Sequence, residues 1–372
     1  MKLSISIKNN RRSVTQDGRN TLQQGKRFMV RSIASIMMCL AVSASASAAD
    51  KFKLAWSHYT GWEPWGYAAD QGIVKKWADK YGIEIEVQLI NDYVESINLY
   101  TASDFDAVTA TNMDALTIPS VSGVDTQAII VGDYSNGNDG IVVKGVHSVA
   151  ELKGREINLV EFSVSHYMLA RALDKNGMSE RDVTVVNTSD ADIASAFISS
   201  SKGAVVTWNP PLQQARNAKG AQMIFDSSMI PGEILDITFV KTNADERFKK
   251  ALTGAWYETM AIISGGPGGK EAIEHMAEAT GATVPEFKAQ LRTTAMFYTP
   301  AEARDYTKSD AIEKTMEYVR QFSFDKGLFG ATAQSADFVG IQFDNGKVLG
   351  DEKNVKLRFT SKYMEMAAQG SL

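Results

Sequence analysis

Between residues 51 and 241 the chain alternates short β-like runs with stretches of helical period, and few folds accommodate that alternation. It calls for α/β layers, in which helices cover the faces of sheets that are mainly parallel. Lys51–Trp56 reads as a first strand, and Ile83–Ile90, apolar at every second position, as a second. Between them lie the turn-rich His58–Gly66 stretch and an amphipathic helix running through Trp77 to Lys80. Asn91-Asp92-Tyr93 closes the second strand ahead of a helix around Val94–Ala102, and strands are expected at Ala107–Ala110 and Thr126–Gly132.

A cluster of Gly, Asn and Asp from Asp133 to Gly140 has strong turn chemistry and breaks the series. Beyond it the pattern restarts. Ser148 and Glu151 have the spacing of a capping box, and strands are expected at Glu156–Val160, Val183–Val186, Ala204–Val206 and Met223–Phe225. Helices are expected at Ser165–Lys175, Ala191–Ser199 and Pro211–Ala218, and Ile234–Lys241 is a strand that returns the chain to the first unit. From Asp245 onward the sequence reads as mainly helical. The arrangement implied is a discontinuous lobe of residues 50–138 plus 242–372, interrupted by an inserted lobe of residues 139–241. Two lobes joined by crossing segments make a cleft that closes by hinge motion.

The N-terminal 49 residues carry a different message. Lys26, Arg27 and Arg31 lead into a short apolar, Ser-rich run that ends in Ala-x-Ala-type residues, the grammar of a secretory signal peptide cut after Ala48 or Ala49. The long basic stretch ahead of the run admits Met29 as an alternative start. Arg11-Arg12 lies too far upstream to read as a twin-arginine signal. Cys39, the only cysteine, sits within the run, so the exported chain carries no thiol and no disulfide and suits an oxidising periplasm. Removing residues 1–49 leaves 323 residues and takes the formal net charge from −5 to −12. That acidity opposes nucleic-acid binding and binding to anionic membranes, and a monomeric chain is expected.

Ile141–Ile157, with Ser165–Gly177 and Asp182–Val186 after it, resembles periplasmic substrate-binding proteins of ABC importers, in the nitrate/sulfonate/taurine group. The segments Gly61-Trp-Glu-Pro-Trp-Gly-Tyr67 and Asp70-Gln-Gly-Ile-Val-Lys-Lys-Trp77 are similar to the branch associated with urea-carboxylase gene regions. The resemblance implies a type II-like two-lobed α/β binding fold, and partners in an ABC permease and its ATPase subunits. It also implies a small cargo of the urea or guanidine kind. Taurine, alkanesulfonate or nitrate is the alternative cargo within the same family.

Loops after the C-terminal ends of strands are where α/β sheets bind ligands. Candidate ligand-binding residues there are Trp62, Trp65, Asp92, Asn112, Asp114, Asp133, Glu161, Ser163, His166, Trp208 and Asp236, drawn from a wider set that includes Glu63, Tyr93, Tyr134, Asp139 and Asn209. The set holds several carboxylates and no Lys or Arg, which suits a planar, NH-rich ligand rather than an anion. Indole faces add cation–π attraction. Glu161, ending a strand of the inserted lobe, is the leading single carboxylate, and Trp62 and Trp65, which flank a Pro, are expected in a loop. Each residue also has a structural use: Asp92 as a helix cap, Asp133 and Asp139 in turns, Asp236 in a hinge ion pair, His166 in a first helical turn. No Gly-x-Ser-x-Gly elbow, His-Glu-x-x-His pair or Walker loop is present, so neither a catalytic site, a metal site nor a cofactor is expected. An enzyme of the thiamine-pyrimidine synthase type on the same fold is a lesser alternative, and its cysteine-rich motif is missing from residues 50–372.

Overall fold

The structure, a computed structural model, describes residues 49–372; the stretch read above as a signal peptide, with the cleavage expected after Ala48 or Ala49, lies outside the described residues, apart from Ala49. Fourteen strands form two sheets. The first part of the chain supplies β1 (Asp50–Trp56), β2 (Ile83–Leu89), β3 (Ala107–Thr111) and β4 (Thr126–Ser135). The middle supplies β5 (Asp139–Lys144), β6 (Glu156–Leu159), β7 (Thr184–Asn187), β8 (Ala204–Trp208) and β9 (Ala221–Asp226). The remainder supplies β10 (Leu235–Lys241), β11 (Thr294–Met296), β12 (Gly340–Gln342), β13 (Val348–Leu349) and β14 (Val355–Phe359).

A nine-stranded sheet runs β13-β12-β14-β4-β10-β3-β1-β2, with β11 added on β4, and a five-stranded sheet runs β7-β6-β8-β5-β9. Both are mixed rather than mainly parallel. β1 pairs parallel with β2 and β3, but β10 runs antiparallel to β3 and β4, and β5 antiparallel to β8 and β9. Strand β10, grouped above with the inserted lobe, pairs within the nine-stranded sheet, so the second crossing segment lies between β9 and β10.

The reading of the C-terminal region as mainly helical misses four strands. They have two to five residues each, too few for a period to show, and β14 joins the sheet by pairing with β4, far away in sequence. Ser148 does not cap the short Val149–Leu152 turn as the spacing suggested: its hydroxyl donates to the Glu151 carboxylate at 2.9 Å instead of accepting a backbone N–H.

The core of the larger half is built by the fully buried β3 and by helix Glu246–Ile263, where Phe248 stacks on Phe52 with ring centroids 4.7 Å apart. Side chains pin the two crossing segments together. Ser135 Oγ donates to Asp139 Oδ2 at 2.5 Å and lies 2.7 Å from Ser227 Oγ, which also accepts the Gly137 amide at 2.6 Å. The Asp133–Gly140 break is thus a short link between two strand ends, fixed by polar contacts and buried.

Candidate functional site

Strand register assembles the centre of the site. On the nine-stranded sheet Asp236 of β10 stands opposite both Thr111 of β3 and Asp133 of β4, and on the five-stranded sheet Asp139 of β5 stands opposite Trp208 of β8. Like charges directly opposite each other in a sheet are destabilising, so this juxtaposition needs an explanation beyond folding. All of these groups lie at strand ends that face the junction of the two halves. Tyr59, Trp62, Tyr93, Thr111, Asp139, Val164, Trp208, Ile234 and Asp236 line a space of about 10 Å³ there, room for about one water molecule.

Four aromatic rings form a chain around it. Tyr59 and Trp62 lie 4.9 Å apart, Trp62 and Tyr93 5.5 Å, and Tyr93 and Trp208 5.3 Å between centroids. Trp208 is held by its Nε1–H, which donates to the His58 carbonyl at 3.3 Å across the junction. Gly61 is required beside the ring: a Cβ there would fall 2.6 Å from Asp133 Oδ2 and 2.7 Å from the Tyr59 ring.

The carboxylates are almost wholly removed from water. Asp114 accepts from Tyr93 Oη at 2.6 Å and from Thr111 Oγ1 at 2.8 Å, and Tyr59 Oη donates weakly to Asp133 at 3.4 Å. Asp114 Oδ1, Asp133 Oδ2, Asp236 Oδ2 and Trp62 Nε1 have no hydrogen-bond partner among the described residues. The Trp62 N–H lies near enough to Asp236 to favour its charge electrostatically, without the alignment of a hydrogen bond. Burial pushes Asp114 up to about 6, and Asp133 and Asp139 to about 7. Asp236 rises well above the usual carboxylate range, first through burial and then through the neighbouring Asp133 charge. Four buried carboxyls with three orphaned oxygens are costly unless something cationic or rich in N–H groups satisfies them.

The sequence-predicted residues divide accordingly. Trp62, Asp114, Asp133, Trp208 and Asp236 come together at this junction. Trp65 does not: it lies in helix Glu63–Asp70 rather than a loop, is wholly buried, and packs on Trp256 at 5.1 Å. Truncating it should therefore unfold more than it unbinds. Trp65→Ala is expected to cost about 3–5 kcal/mol of stability, read from denaturant melts, against a much smaller loss for an exposed loop residue.

Asp92 is exposed and caps helix Tyr93–Thr101, accepting from the Glu95 amide at 2.9 Å. Asn112 ties two backbone segments, accepting from the Leu235 amide and donating to the Glu233 carbonyl. Ser163 caps helix Val164–Lys175. His166 Nδ1 accepts from the Phe162 amide at 3.1 Å, which directs Nε2 to Glu180 at 2.6 Å and away from the cage. Glu161 is half-buried, outside the cage, and its side chain makes no hydrogen bond or ion pair among the described residues. Sequence reasoning missed Tyr59 entirely and set Tyr93 and Asp139 aside. Tyr93, directly after the Asp92 cap and therefore in a first helical turn below a strand end, carried the strongest available signal.

A family model described as NMT1/THI5 like matches residues 66–244, just under half of the chain. No curated protein sequence matches it. Among solved structures, the alkanesulfonate-binding protein SsuA of Xanthomonas axonopodis pv. citri bound to MOPS superposes with a TM-score of 0.63 at 15% identity, over 79% of this chain and 99% of that one. The periplasmic nitrate-binding protein NrtA of Synechocystis PCC 6803 gives 0.53 at 12% identity, over 86% and 98%. A Candida albicans protein described as having the generic periplasmic binding protein fold gives 0.55 at 15% identity, over 72% and 94%. The two sheets, the crossing segments and these superpositions together give the chain the periplasmic-binding-protein fold.

Proposed function

We propose that this chain is the periplasmic solute-binding component of an ABC importer, a binder and not an enzyme. It captures a small, planar, NH-rich solute between its lobes and presents the closed form to a membrane permease and its ATPase subunits. Guanidinium-type cations are the first choice of cargo and urea the second. The observation that carries the reading is the cage itself: four aromatic rings and four buried carboxyls converge, and no Lys or Arg lines the space. A guanidinium offers five or six N–H donors in a plane, which matches orphaned carboxylate oxygens, and its faces stack on indole and phenol rings.

The sulfonate and nitrate named for the structural neighbours are the second reading. A buried anion beside Asp133, Asp139 and Asp236 would meet several kcal/mol of repulsion and unrelieved desolvation. With room for about one water as it stands, the space has to widen as the lobes part before it admits even a ligand of four heavy atoms. Export by the N-terminal segment, and lobes divided near residue 139 and again between Asp226 and Leu235, belong to the same proposal.

A thermal-shift screen of guanidine, methylguanidine, urea, taurine, nitrate and alkanesulfonates tests it. At about 100 times Kd a true ligand adds roughly 2.7 kcal/mol, a shift of several degrees in Tm. A shift with guanidines alone supports the reading, whereas a shift with sulfonates or nitrate alone removes it.

A further inference from the structure

We propose that Asp114 sets the sign of charge this protein accepts, by filling from one half of the molecule the helix N-terminus of the other half that an oxyanion would otherwise occupy. The inference rests on the solute-binding reading above and names the residue that enforces it. Helix Val164–Lys175, which follows β6, is twelve residues long, and its amino end points at the junction. Such an end gathers unpaired amides and the positive pole of the helix, and it holds sulfonate, phosphate or carboxylate groups readily.

Here the end is already engaged by a carboxylate. Asp114 comes from the segment just after β3, is fully buried, and is held by Tyr93 Oη at 2.6 Å and Thr111 Oγ1 at 2.8 Å, both from its own half. The Val164 amide lies beside it and favours its charged form. Val164, Tyr93 and Thr111 line the same enclosed space. Two polar atoms at this spot, Asp114 Oδ1 and Ser165 Oγ, have no partner among the described residues, and both residues are 0% exposed. The unpartnered Oδ1 is available to an N–H donor of a cation. The same carboxylate repels an anion and occupies the side of the Val164 amide, while Ser163 already accepts from the Ser165 and His166 amides. Asp114 therefore couples selection to closure, since its favourable charge–dipole contact forms only when the halves meet.

Calorimetric titration of the full exported chain with guanidinium chloride and with sodium methanesulfonate tests this, using wild type, Asp114→Ser and, should that variant fail to fold, Asp114→Ala. The expected result is that wild type binds guanidinium and gives no heat with methanesulfonate. The variant should lose about tenfold or more in guanidinium affinity and gain saturable methanesulfonate binding. A variant that melts as a folded protein and still gives no methanesulfonate heat overturns the role of Asp114, whatever its guanidinium affinity. A wild type that binds methanesulfonate and not guanidinium overturns the ligand reading, and with it this role. A wild type that binds neither, beside a variant that binds methanesulfonate, overturns the choice of cargo and leaves the role of Asp114 standing.

Discussion

Asp236→Asn is expected to weaken guanidinium binding while making the ligand-free protein more stable. Asp236 faces Asp133 across the sheet, lines the enclosed space and presents a buried oxygen without a partner. Losing one charge-assisted hydrogen bond to the ligand costs about 1.5–3 kcal/mol, or roughly 10- to 150-fold in Kd. The ligand-free protein responds in the opposite direction as pH rises and drives the pair to ionise, because an amide at 236 cannot become the second of two like charges in a water-free site. Calorimetry and thermal melts on the same variant read both signs. Weaker binding together with a lower ligand-free Tm would instead mean that Asp236 serves the hinge as a structural group.

The second large effect is on pH. The folded protein holds Asp114 near about 6 and Asp133 and Asp139 near about 7, above the ordinary carboxylate value of 3.8, and Asp236 higher still. Between those values the closed, ligand-free cage binds more protons than a hydrated or unfolded one, so its stability is greatest at low pH and declines as pH rises through about 6–7. A cation needs the carboxylates ionised, and its binding must expel protons. Guanidinium affinity should therefore rise with pH between about 5 and 8, by up to one decade per pH unit for each proton released, with one or two protons released near pH 6.5. Calorimetry in buffers of different ionisation enthalpy counts those protons. Proton uptake, or affinity that falls with pH, would mark an anionic ligand.

Much of the architecture was legible because its signals are local. The strands before residue 241 announce themselves by apolar alternation and by the Gly, Asn and Asp residues that end them, and the cap at Asp92 is a matter of three residues. The site was legible in composition but not in assembly. Carboxylates at strand ends are visible in the sequence. That Asp236 meets Asp133 depends on antiparallel register between strands about a hundred residues apart, which no local pattern carries. β6 stops at Leu159, so Glu161 falls two residues past the strand, in the turn through Phe162, with a φ of 65°, and its side chain stays outside the cage. Trp65 failed as a ligand candidate because Pro64 starts a helix rather than a turn, which rolls the indole into the core against Trp256. Tyr59 went unnoticed because a tyrosine in a turn looks like surface until the second half of the molecule covers it.

The proposed selection of positive, planar, NH-rich solutes by the cage is measured by a single competition. The exported chain is titrated with guanidinium chloride at about pH 8, where the raised carboxyls ionise most readily, in the presence and absence of excess methanesulfonate. Saturable guanidinium binding that methanesulfonate leaves unchanged is the result the cage predicts. Binding of methanesulfonate with no heat from guanidinium would contradict it.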